Sequence, residues 1–503
     1  MSGQVAGGKA TTELRRVGAR FPAAPGLVLL LVCLGQFMVV LDVSVVNVAL
    51  PSIRHDLGFS ASGLQWVVNA YALSFAGFLL LAGRAADLFG RRRLLLGGLA
   101  LFCFASLLDG LATSQGELVA ARALQGLGGA VLLTPATLTI LIATYSEGRA
   151  RARALGVWSA VAAAGGASGA LLGGVITQFL TWRWIFFINL PIGIAVLIAS
   201  SLFVAEGAGD RAGRRHLDLA GAFTVTGGLV AVTWGIVRSQ AAGWGSPEVL
   251  AAFAAGIGLL IAFAIIEGRW ARAPLVPLRI FASRSITGSN LVAFGVGAAL
   301  FSVWYFQSLY LQGVRGMTPL AAGLTFLPQT LAIVVGAQIS SRLMPRFGAR
   351  PFLVGGPVLI SLGLLWMAQI SVEPAIWSSV LLPGALVTLG AGLAFPAITV
   401  AATAGVARSE SGLASGVVNT SRQVGGSLGL AALATLAADH AAALTQSGHA
   451  APVALTGGFG LAFAGGAVIA LAAGLSGLLV PGRTRRAVSQ RRVAPSEGEE
   501  VAA

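Results

Sequence analysis

Residues 83–92 read GRAADLFGRR, and residues 341–350 read SRLMPRFGAR. When the segments are aligned with an offset of 258 positions, four residues match: Arg84 with Arg342, Phe89 with Phe347, Gly90 with Gly348 and Arg92 with Arg350. Each segment follows the second member of a group of long apolar runs. We interpret the pair as the mark of an internal duplication.

The apolar runs around these segments have the length of membrane-crossing helices, which need about 20 predominantly apolar residues. Fourteen runs meet this criterion: 26–49, 63–82, 94–113, 118–142, 154–179, 184–204, 218–237, 248–267, 286–312, 320–341, 352–371, 376–405, 412–438 and 456–480. Of the 503 residues, 56% are hydrophobic and 10% are charged. Soluble domains carry about 25% charged residues. The sequence therefore predicts an all-α polytopic membrane protein and excludes a soluble enzyme.

The basic residues alternate from gap to gap between the runs. The first residues of the chain, its tail and every second gap together hold 27 of the 33 Lys and Arg residues, whereas the other gaps hold only Arg54, Arg183, Arg238 and Arg315. Cytoplasmic loops of membrane proteins carry such an excess of basic residues. The distribution predicts that both termini are cytoplasmic. It also accounts for the net charge of +15, so we do not expect nucleic-acid binding.

The repeat and the runs together predict a 6+2+6 arrangement of 14 transmembrane helices. Two six-helix bundles related by an axis along the membrane normal are a known plan of transporters. The expected units are a cytoplasmic head, a first bundle, a linker with two extra helices, a second bundle and a cytoplasmic tail: 1–25, 26–204, 205–285, 286–480 and 481–503.

Six segments resemble, in order, motifs of the major facilitator superfamily, specifically its fourteen-helix drug:proton antiporter (multidrug efflux) branch. They are LDVSVVNVALP at 41–51, GRAADLFGRRR at 83–93, RALQGLGG at 122–129, GGASGALLGG at 165–174, WRWIFFINLPIG at 182–193 and GLASGVVNTSRQVGG at 412–426. The resemblance spans nearly the whole chain. It implies the major facilitator fold and drug efflux by alternating access, with the proton gradient as energy source and no cofactor.

Two charged residues inside the runs are candidates for proton coupling. A charge in a spanning helix is costly and marks a functional site by default, and Asp42 lies well inside the first run. The alternative is a structural carboxylate hydrogen-bonded to Asn47 or Ser44. Arg122 in the fourth run is a fixed positive charge, and the resemblance links it to proton transfer. Its alternative is a side chain extending to the membrane interface.

The loop motif at 83–93 resembles the conformational latch of the superfamily, with Gly83, Asp87, Gly90, Arg91 and Arg92 as its residues. We expect the glycines to permit a tight turn. In the second copy Pro345 replaces the acidic residue, so we expect a latch in the first half only.

The fifth run carries small residues at four-residue spacing, which predicts a face for close helix packing. This is the antiporter motif, with Gly165, Gly169, Gly173 and Gly174; Ala170 stands where the family usually has Pro. Aromatic and amide side chains in several runs are candidates for a substrate cavity: Trp66, Asn69, Tyr71, Gln125, Trp158, Asn290, Trp304, Gln307, Gln329, Asn419 and Arg422.

The second half has almost no acidic residues within its runs, since Glu373 and Glu410 fall in gaps and Asp439 at an end. We therefore expect a small lipophilic drug or antibiotic that is neutral, zwitterionic or monocationic, exchanged for protons. The sequence shows no constellation of catalytic or metal-binding residues, and His440 and His449 are expected in one outer loop. We expect a monomeric, multi-pass protein of the bacterial inner membrane. The alternatives are an importer or symporter on the same fold, or a membrane receptor.

Overall fold

The computed structural model describes residues 24–133, 140–141, 144–145, 148–204, 217–271, 274–373, 375–404, 406 and 410–482. The predicted head and tail lie almost wholly outside these residues. Within them the structure has fourteen long helices: α1 (Pro25–Leu57), α2 (Trp66–Phe89), α3 (Arg91–Leu111), α4 (Gln115–Leu133), α5 (Arg149–Phe179), α6 (Asn189–Phe203), α7 (Leu219–Ala242), α8 (Pro247–Ile265), α9 (Arg284–Leu309), α10 (Pro319–Phe347), α11 (Arg350–Met367), α12 (Leu382–Thr403), α13 (Ser411–Gln446) and α14 (Ala451–Ser476).

Short helical turns extend several of these helices. A single turn, Trp184–Phe187, precedes α6, and π-helical turns follow α8 and α9 and precede α12. Twelve helical segments of the described chain are long and apolar enough to cross a membrane. The two long helices outside this set are α4, which contains Glu117 and Arg122, and α5, which begins with three arginines in five residues. The all-helical membrane fold is confirmed, and fourteen membrane crossings stay a prediction.

The helices pack in a pattern that repeats along the chain. In the first six, α1 packs on α5, α4 packs on both α2 and α3, and α3 packs on α6. The same contacts recur eight helices later, where α9 packs on α13, α12 on both α10 and α11, and α11 on α14. The helices α7 and α8 pack on each other, and α7 also touches α2 and α13. A duplicated six-helix unit with an inserted helix pair would give this arrangement.

The two helix sets meet mainly through α5 against α10 and α2 against α13. Three hydrogen bonds between the sets lie at the end of the bundle that carries the loop 58–65, which we call the α1–α2 face. They run from Gln312 Nε2 to the carbonyl oxygen of Val48 (2.8 Å), from the Leu320 amide to Gln178 Oε1 (3.2 Å) and from Tyr305 Oη to the carbonyl oxygen of Ala61 (3.3 Å). The two sets are therefore joined at this face.

The duplicated loop motif ends its helix in the same way in both copies. Gly90 follows α2 with φ of 100°, and Gly348 follows α10 with φ of 81°. L-residues with a Cβ rarely adopt such angles. The expectation that Gly83 also belongs to the turn is wrong, because α2 continues through Gly83 to Phe89. The helix is uninterrupted at Gly83, so the backbone freedom of glycine is not needed at this position.

The end of the thirteenth helix differs from the sequence-based expectation. The apolar run stops near residue 438, but α13 continues to Gln446. His440 and Asp439 therefore lie within the helix rather than in a loop or at its end. The backbone hydrogen bonds of a helix continue through polar residues, so the end of an apolar run marks only the end of the apolar surface. Cys33 and Cys103 are free and buried.

Replacing Gly90 with Ala should destabilise the protein, because the backbone angle at this turn is strained for any residue with a Cβ. We expect a cost of about 1–3 kcal/mol, seen as a lower thermal unfolding temperature in detergent. The control is Gly97→Ala in α3, where an added Cβ meets nothing within 4 Å. The control should be unchanged or more stable, and equal behaviour of the two variants would contradict the role of Gly90.

Candidate functional site

A buried cluster of polar side chains surrounds Asp42 in the interior of the first six helices. Asp42 is fully buried in α1. Its Oδ2 atom accepts a hydrogen bond from Arg122 Nη1 of α4 at 2.7 Å. Its Oδ1 atom accepts from Gln125 Nε2 at 2.8 Å and from Asn189 Nδ2 of α6 at 2.9 Å. Both carboxylate oxygens are thus paired, which a buried charge requires.

Arg122 is only 2% exposed and is bound on several sides. Its Nε atom donates to the carbonyl oxygen of Val67 in α2 at 3.0 Å, and Nη1 also donates to Gln125 Oε1. The ring of Tyr71 lies 4.5 Å from the guanidinium carbon and that of Phe186 lies 5.6 Å away. A guanidinium over aromatic faces gains electrostatic stabilisation. The alternative of a side chain that extends to the interface is wrong.

Small residues on α4 let the neighbouring helices come close enough to reach the pair. A Cβ atom on Gly126 would lie 2.2 Å from the carbonyl oxygen of Tyr71, and one on Gly128 would lie 2.7 Å from the amide nitrogen of Phe102. These glycines therefore bring α2 and α3 against α4. Arg122 and Gln125 are three residues apart, so they share one face of α4. The close helix contacts and the polar contacts therefore occur at the same position along α4.

Ser106 of α3 completes the cluster. Its Oγ atom accepts from Gln125 Nε2 at 2.8 Å and lies 3.4 Å from Asn189 Nδ2. Neither Ser106 nor Asn189 was among the expected site residues. Asn189 lies within the motif at 182–193, and a polar residue in an otherwise apolar run was the available signal.

The alternative partners of Asp42 have other contacts. Asn47 Nδ2 donates to the carbonyl oxygen of Val43 at 3.0 Å, within its own helix. Ser44 Oγ donates to carbonyl oxygens of α1 and lies 3.3 Å from the carbonyl oxygen of Gly165 in α5. Asp42 is therefore bound to neighbouring helices through Arg122 and the amides of Gln125 and Asn189. It is not bound through Asn47 or Ser44.

The latch residues lie at the junction of α2 and α3. Gly83 and Asp87 belong to α2, Gly90 forms the turn, and Arg91 and Arg92 begin α3. The side chain of Asp87 lies outside what the structure describes. The Arg92 guanidinium donates to the carbonyl oxygen of Ser201 near the end of α6. Arg92 thus connects the start of α3 to α6.

The glycines of the antiporter motif face two different helices. Added Cβ atoms would lie 3.1 Å from the carbonyl oxygen of Phe37 at Gly165, 3.0 Å from that of Leu41 at Gly169 and 2.9 Å from that of Val45 at Gly173, all in α1. A Cβ on Gly174 would lie 2.7 Å from the carbonyl oxygen of Pro319 in α10. One helix, α5, is therefore in close contact with α1 and with the second helix set.

The residues expected to line a substrate cavity come from both helix sets. Tyr71 and Gln125 belong to the Asp42 cluster. Asn69 is buried and donates to Gln65 Oε1 at 3.3 Å, whereas Trp66 and Trp158 are only partly buried. These five lie in the first helix set.

The other six expected cavity residues lie in the second helix set. Asn290 Oδ1 accepts from Ser421 Oγ at 2.8 Å, and Asn419 Oδ1 accepts from Arg422 at 2.7 Å. Trp304 packs against the apolar core. Gln307 and Gln329 are buried and their amide groups have no hydrogen-bond partner. No group of three or more potential metal ligands occurs in the described part of the chain.

A bundle of apolar helices with a buried, fully paired charge in its interior is the architecture of a membrane transporter. A sequence profile of the Major Facilitator Superfamily matches residues 32–430. The chain belongs to this superfamily and is a multi-pass membrane transporter.

Its curated relatives are proteins of antibiotic export and resistance. The chain is 42% identical to the cephamycin export protein CmcT of Amycolatopsis lactamdurans, over 91% of this chain and 93% of that protein. It is 40% identical to the puromycin resistance protein pur8 of Streptomyces alboniger, over 92% of each. These names agree with the drug:proton antiporter branch that the motifs indicate.

Solved structures show the same fold at low sequence identity. A bacterial homologue of the human lysosomal transporter Spinster matches with a TM-score of 0.63 and 17% identity, over 94% of this chain and 99% of that one. The human organic anion transporter MFSD10 matches with a TM-score of 0.61 and 15% identity, over 91% of this chain and 100% of that one. The major facilitator fold is confirmed.

The Asp42–Arg122 pair should show strong energetic coupling in a double-mutant cycle. We expect Arg122→Met alone to cost about 3–5 kcal/mol, because it leaves a buried carboxylate without its ion-pair partner. Combining it with Asp42→Asn should cost less than the sum of the single changes. The measurement is the free energy of unfolding in detergent. The half-exposed pair Arg183–Asp56 is the control, with coupling below about 1 kcal/mol; equal coupling in both cycles would contradict the assignment.

A larger side chain at Gly174 should separate the two helix sets at the α1–α2 face, because the atom it meets is a backbone oxygen. In Gly174→Leu we expect a longer distance between spin labels at the ends of α5 and α10 than in the unsubstituted protein. The matched control is Gly156→Leu in the same helix, where an added Cβ meets nothing within 4 Å. An unchanged distance in Gly174→Leu would show that this contact does not set the separation.

Proposed function

We propose that the protein exports a lipophilic drug or antibiotic in exchange for protons, by alternating access. The observation that carries the proposal is the buried Asp42 carboxylate with its fixed cation Arg122. A carboxylate is the simplest group that can take up and release a proton, whereas a guanidinium keeps its charge. The names of the relatives support export and resistance as the physiological role.

Protonation of Asp42 would change the contact between α1 and α4. The neutral acid loses its charge attraction to Arg122. This attraction is strongest where water is excluded, so its loss has a large effect in a buried pair. The helix α1 lies against the glycines of α5, and α5 in turn lies against α10 of the second set. A shift of α1 on protonation is therefore passed to the contact between the two sets through α5.

The joined α1–α2 face is the closed side of this state. Hydrogen bonds from Gln312, Leu320 and Tyr305 connect the sets there, at 2.8–3.3 Å. The distribution of Arg and Lys supports a topology with fourteen crossings and both termini in the cytoplasm. In that topology the α1–α2 face is extracellular. We infer that the structure represents a state closed to the outside of a bacterial inner membrane.

The substrate would bind between the helix sets, at the interface of the repeats. The helices α9–α14 contain Asp439 as their single acidic residue. A site of this composition lacks carboxylates for a dication and suits a neutral, zwitterionic or monocationic drug. The energy source is the proton gradient, with no cofactor. A single chain, with its two six-helix sets, would act as a monomer.

Replacing Asp42 with Asn should abolish uphill drug transport, because an amide cannot carry the proton. We expect everted membrane vesicles with an imposed pH gradient to accumulate a fluorescent drug with the unsubstituted protein and not with Asp42→Asn. Drug binding to the purified variant should persist, since Asn keeps the size of the side chain and one acceptor for Arg122.

The control for this experiment is Asp56→Asn, which removes a partly exposed carboxylate of the same helix and should leave accumulation unchanged. Full pH-driven accumulation by Asp42→Asn would disprove the coupling role. Drug movement in the same direction as the protons would instead support an importer or symporter.

A further inference from the structure

A second carboxyl group lies close to the Asp42 cluster, and its surroundings are different. Asp109 of α3 is fully buried. Neither of its carboxylate oxygens has a hydrogen-bond partner in the structure. Asp42, by contrast, accepts three hydrogen bonds at 2.7–2.9 Å. An ionised carboxylate without a hydrogen-bond donor is very costly in an interior without water. Ionisation is therefore less favourable at Asp109 than at Asp42.

Asp109 continues the polar cluster toward the α1–α2 face. It lies three residues after Ser106, so both are on the same face of α3. It is near enough to interact electrostatically with Arg122 and Asp42. Asp109 is two residues from the end of α3, or about 3 Å along the helix, whereas Asp42 is fifteen residues from the end of α1, or about 22 Å. Asp109 is therefore on the side of the cluster that is nearer to the α1–α2 face.

The charges around Asp109 sum to zero when only one of the two carboxyl groups, that of Asp42 or that of Asp109, is ionised. From α4 it interacts with Arg122 and from α1 with Asp42, and the phenol of Tyr71 on α2 interacts with the same Asp42–Arg122 pair. The helix α6 and the turn Trp184–Phe187 contain no titratable side chain, and Arg183, which precedes the turn and donates to the carbonyl oxygen of Ala112, is paired with Asp56 of α1. Glu117 of α4 is exposed and accepts from Thr113. With both acids ionised, two negative charges would share one guanidinium; with one proton present, the cluster is neutral.

We propose that Asp109 is a second proton-binding site of the transport cycle and holds the proton of this cluster while Asp42 is ionised. The inference rests on the proposed antiport function. In the loading step the O–H bond of Asp109 breaks and an O–H bond forms on Asp42, directly or through water. Arg122 stays protonated, and its ion-pair partner changes from the Asp42 carboxylate to the Asp109 carboxylate. Total charge is conserved, and Asp109 then takes a new proton from the α1–α2 face.

Infrared spectroscopy tests the protonation of Asp109 without any transport. The difference spectrum of the unsubstituted protein minus Asp109→Asn at neutral pH should contain the carbonyl stretch of a protonated carboxylic acid. A carboxylate signature for Asp109 would overturn the proposal. Because Asn resembles a protonated Asp, Asp109→Asn should unfold at the same temperature as the unsubstituted protein.

Transport tests the place of Asp109 in the cycle. In proteoliposomes with the membrane potential set to zero, each coupled proton contributes at most about tenfold drug accumulation per pH unit. Because Asn cannot pass a proton to Asp42, we expect Asp109→Asn to lose the coupled proton and with it about tenfold accumulation per pH unit. Drug binding should be retained, and Asp109→Glu should restore accumulation with a shifted pH profile. Glu248→Gln, an exposed carboxylate on α8, is the control.

The outcomes separate this inference from the proposed function. Full accumulation and an unchanged pH profile in Asp109→Asn, with loss of accumulation in Asp42→Asn, would overturn the role of Asp109 and leave antiport intact. Absence of pH-driven transport in the unsubstituted protein would overturn the antiport proposal, while the infrared bands would still decide whether Asp109 is protonated. Loss of drug binding and lower thermal stability in Asp109→Asn would assign a structural role and also overturn the inference.

Discussion

The guanidinium of Arg122 cannot lose its proton, and it lies in the interior of the bundle. This constraint organises the first six helices, because every donor must find an acceptor where water is scarce. Asp42 comes from α1, the Val67 carbonyl and the Tyr71 ring from α2, and Gln125 from α4 itself. Through Asn189 and Ser106 the network also includes α6 and α3. Five helices are thus positioned by one buried cation.

Glycines make this convergence possible, and they also connect the cluster to the rest of the molecule. The residues of α5 that face α1 and the residue that faces α10 lie on one helix. Close backbone contact leaves little freedom for one helix to move without its neighbour. A change in the charge of Asp42 on α1 can therefore reach the contact between the helix sets through α5, and α1 also touches the second set directly at the Gln312–Val48 hydrogen bond.

Much of the fold could be predicted from the sequence, and the site only in part. Apolar runs set the helices because about 20 such residues are needed to cross a membrane, and buried charges stand out because they are costly. Asp42 and Arg122 were found in this way. Their partners Asn189 and Ser106 were not, because a polar residue in an apolar run does not show which helix it faces. The sequence also does not show the partners of the amides expected in the cavity, several of which bind within their own helix or a neighbour.

The duplicated fold carries unequal electrostatics, and this asymmetry bears on how transport is coupled. The α1–α5 contact has its counterpart in α9–α13, but the polar contact there joins Asn290 to Ser421, which are both neutral. Arg422, on α13, is bound to Asn419 of its own helix and lies over the Phe395 ring at 5.6 Å. The second set therefore offers polar contacts without a buried acid beside its arginine. In the proposed antiport cycle, a proton on Asp42 would change the charge of the first set, and the second set would keep a constant surface for the drug. Coupling would then depend on relative movement of the two sets, which the α5–α10 contact would transmit.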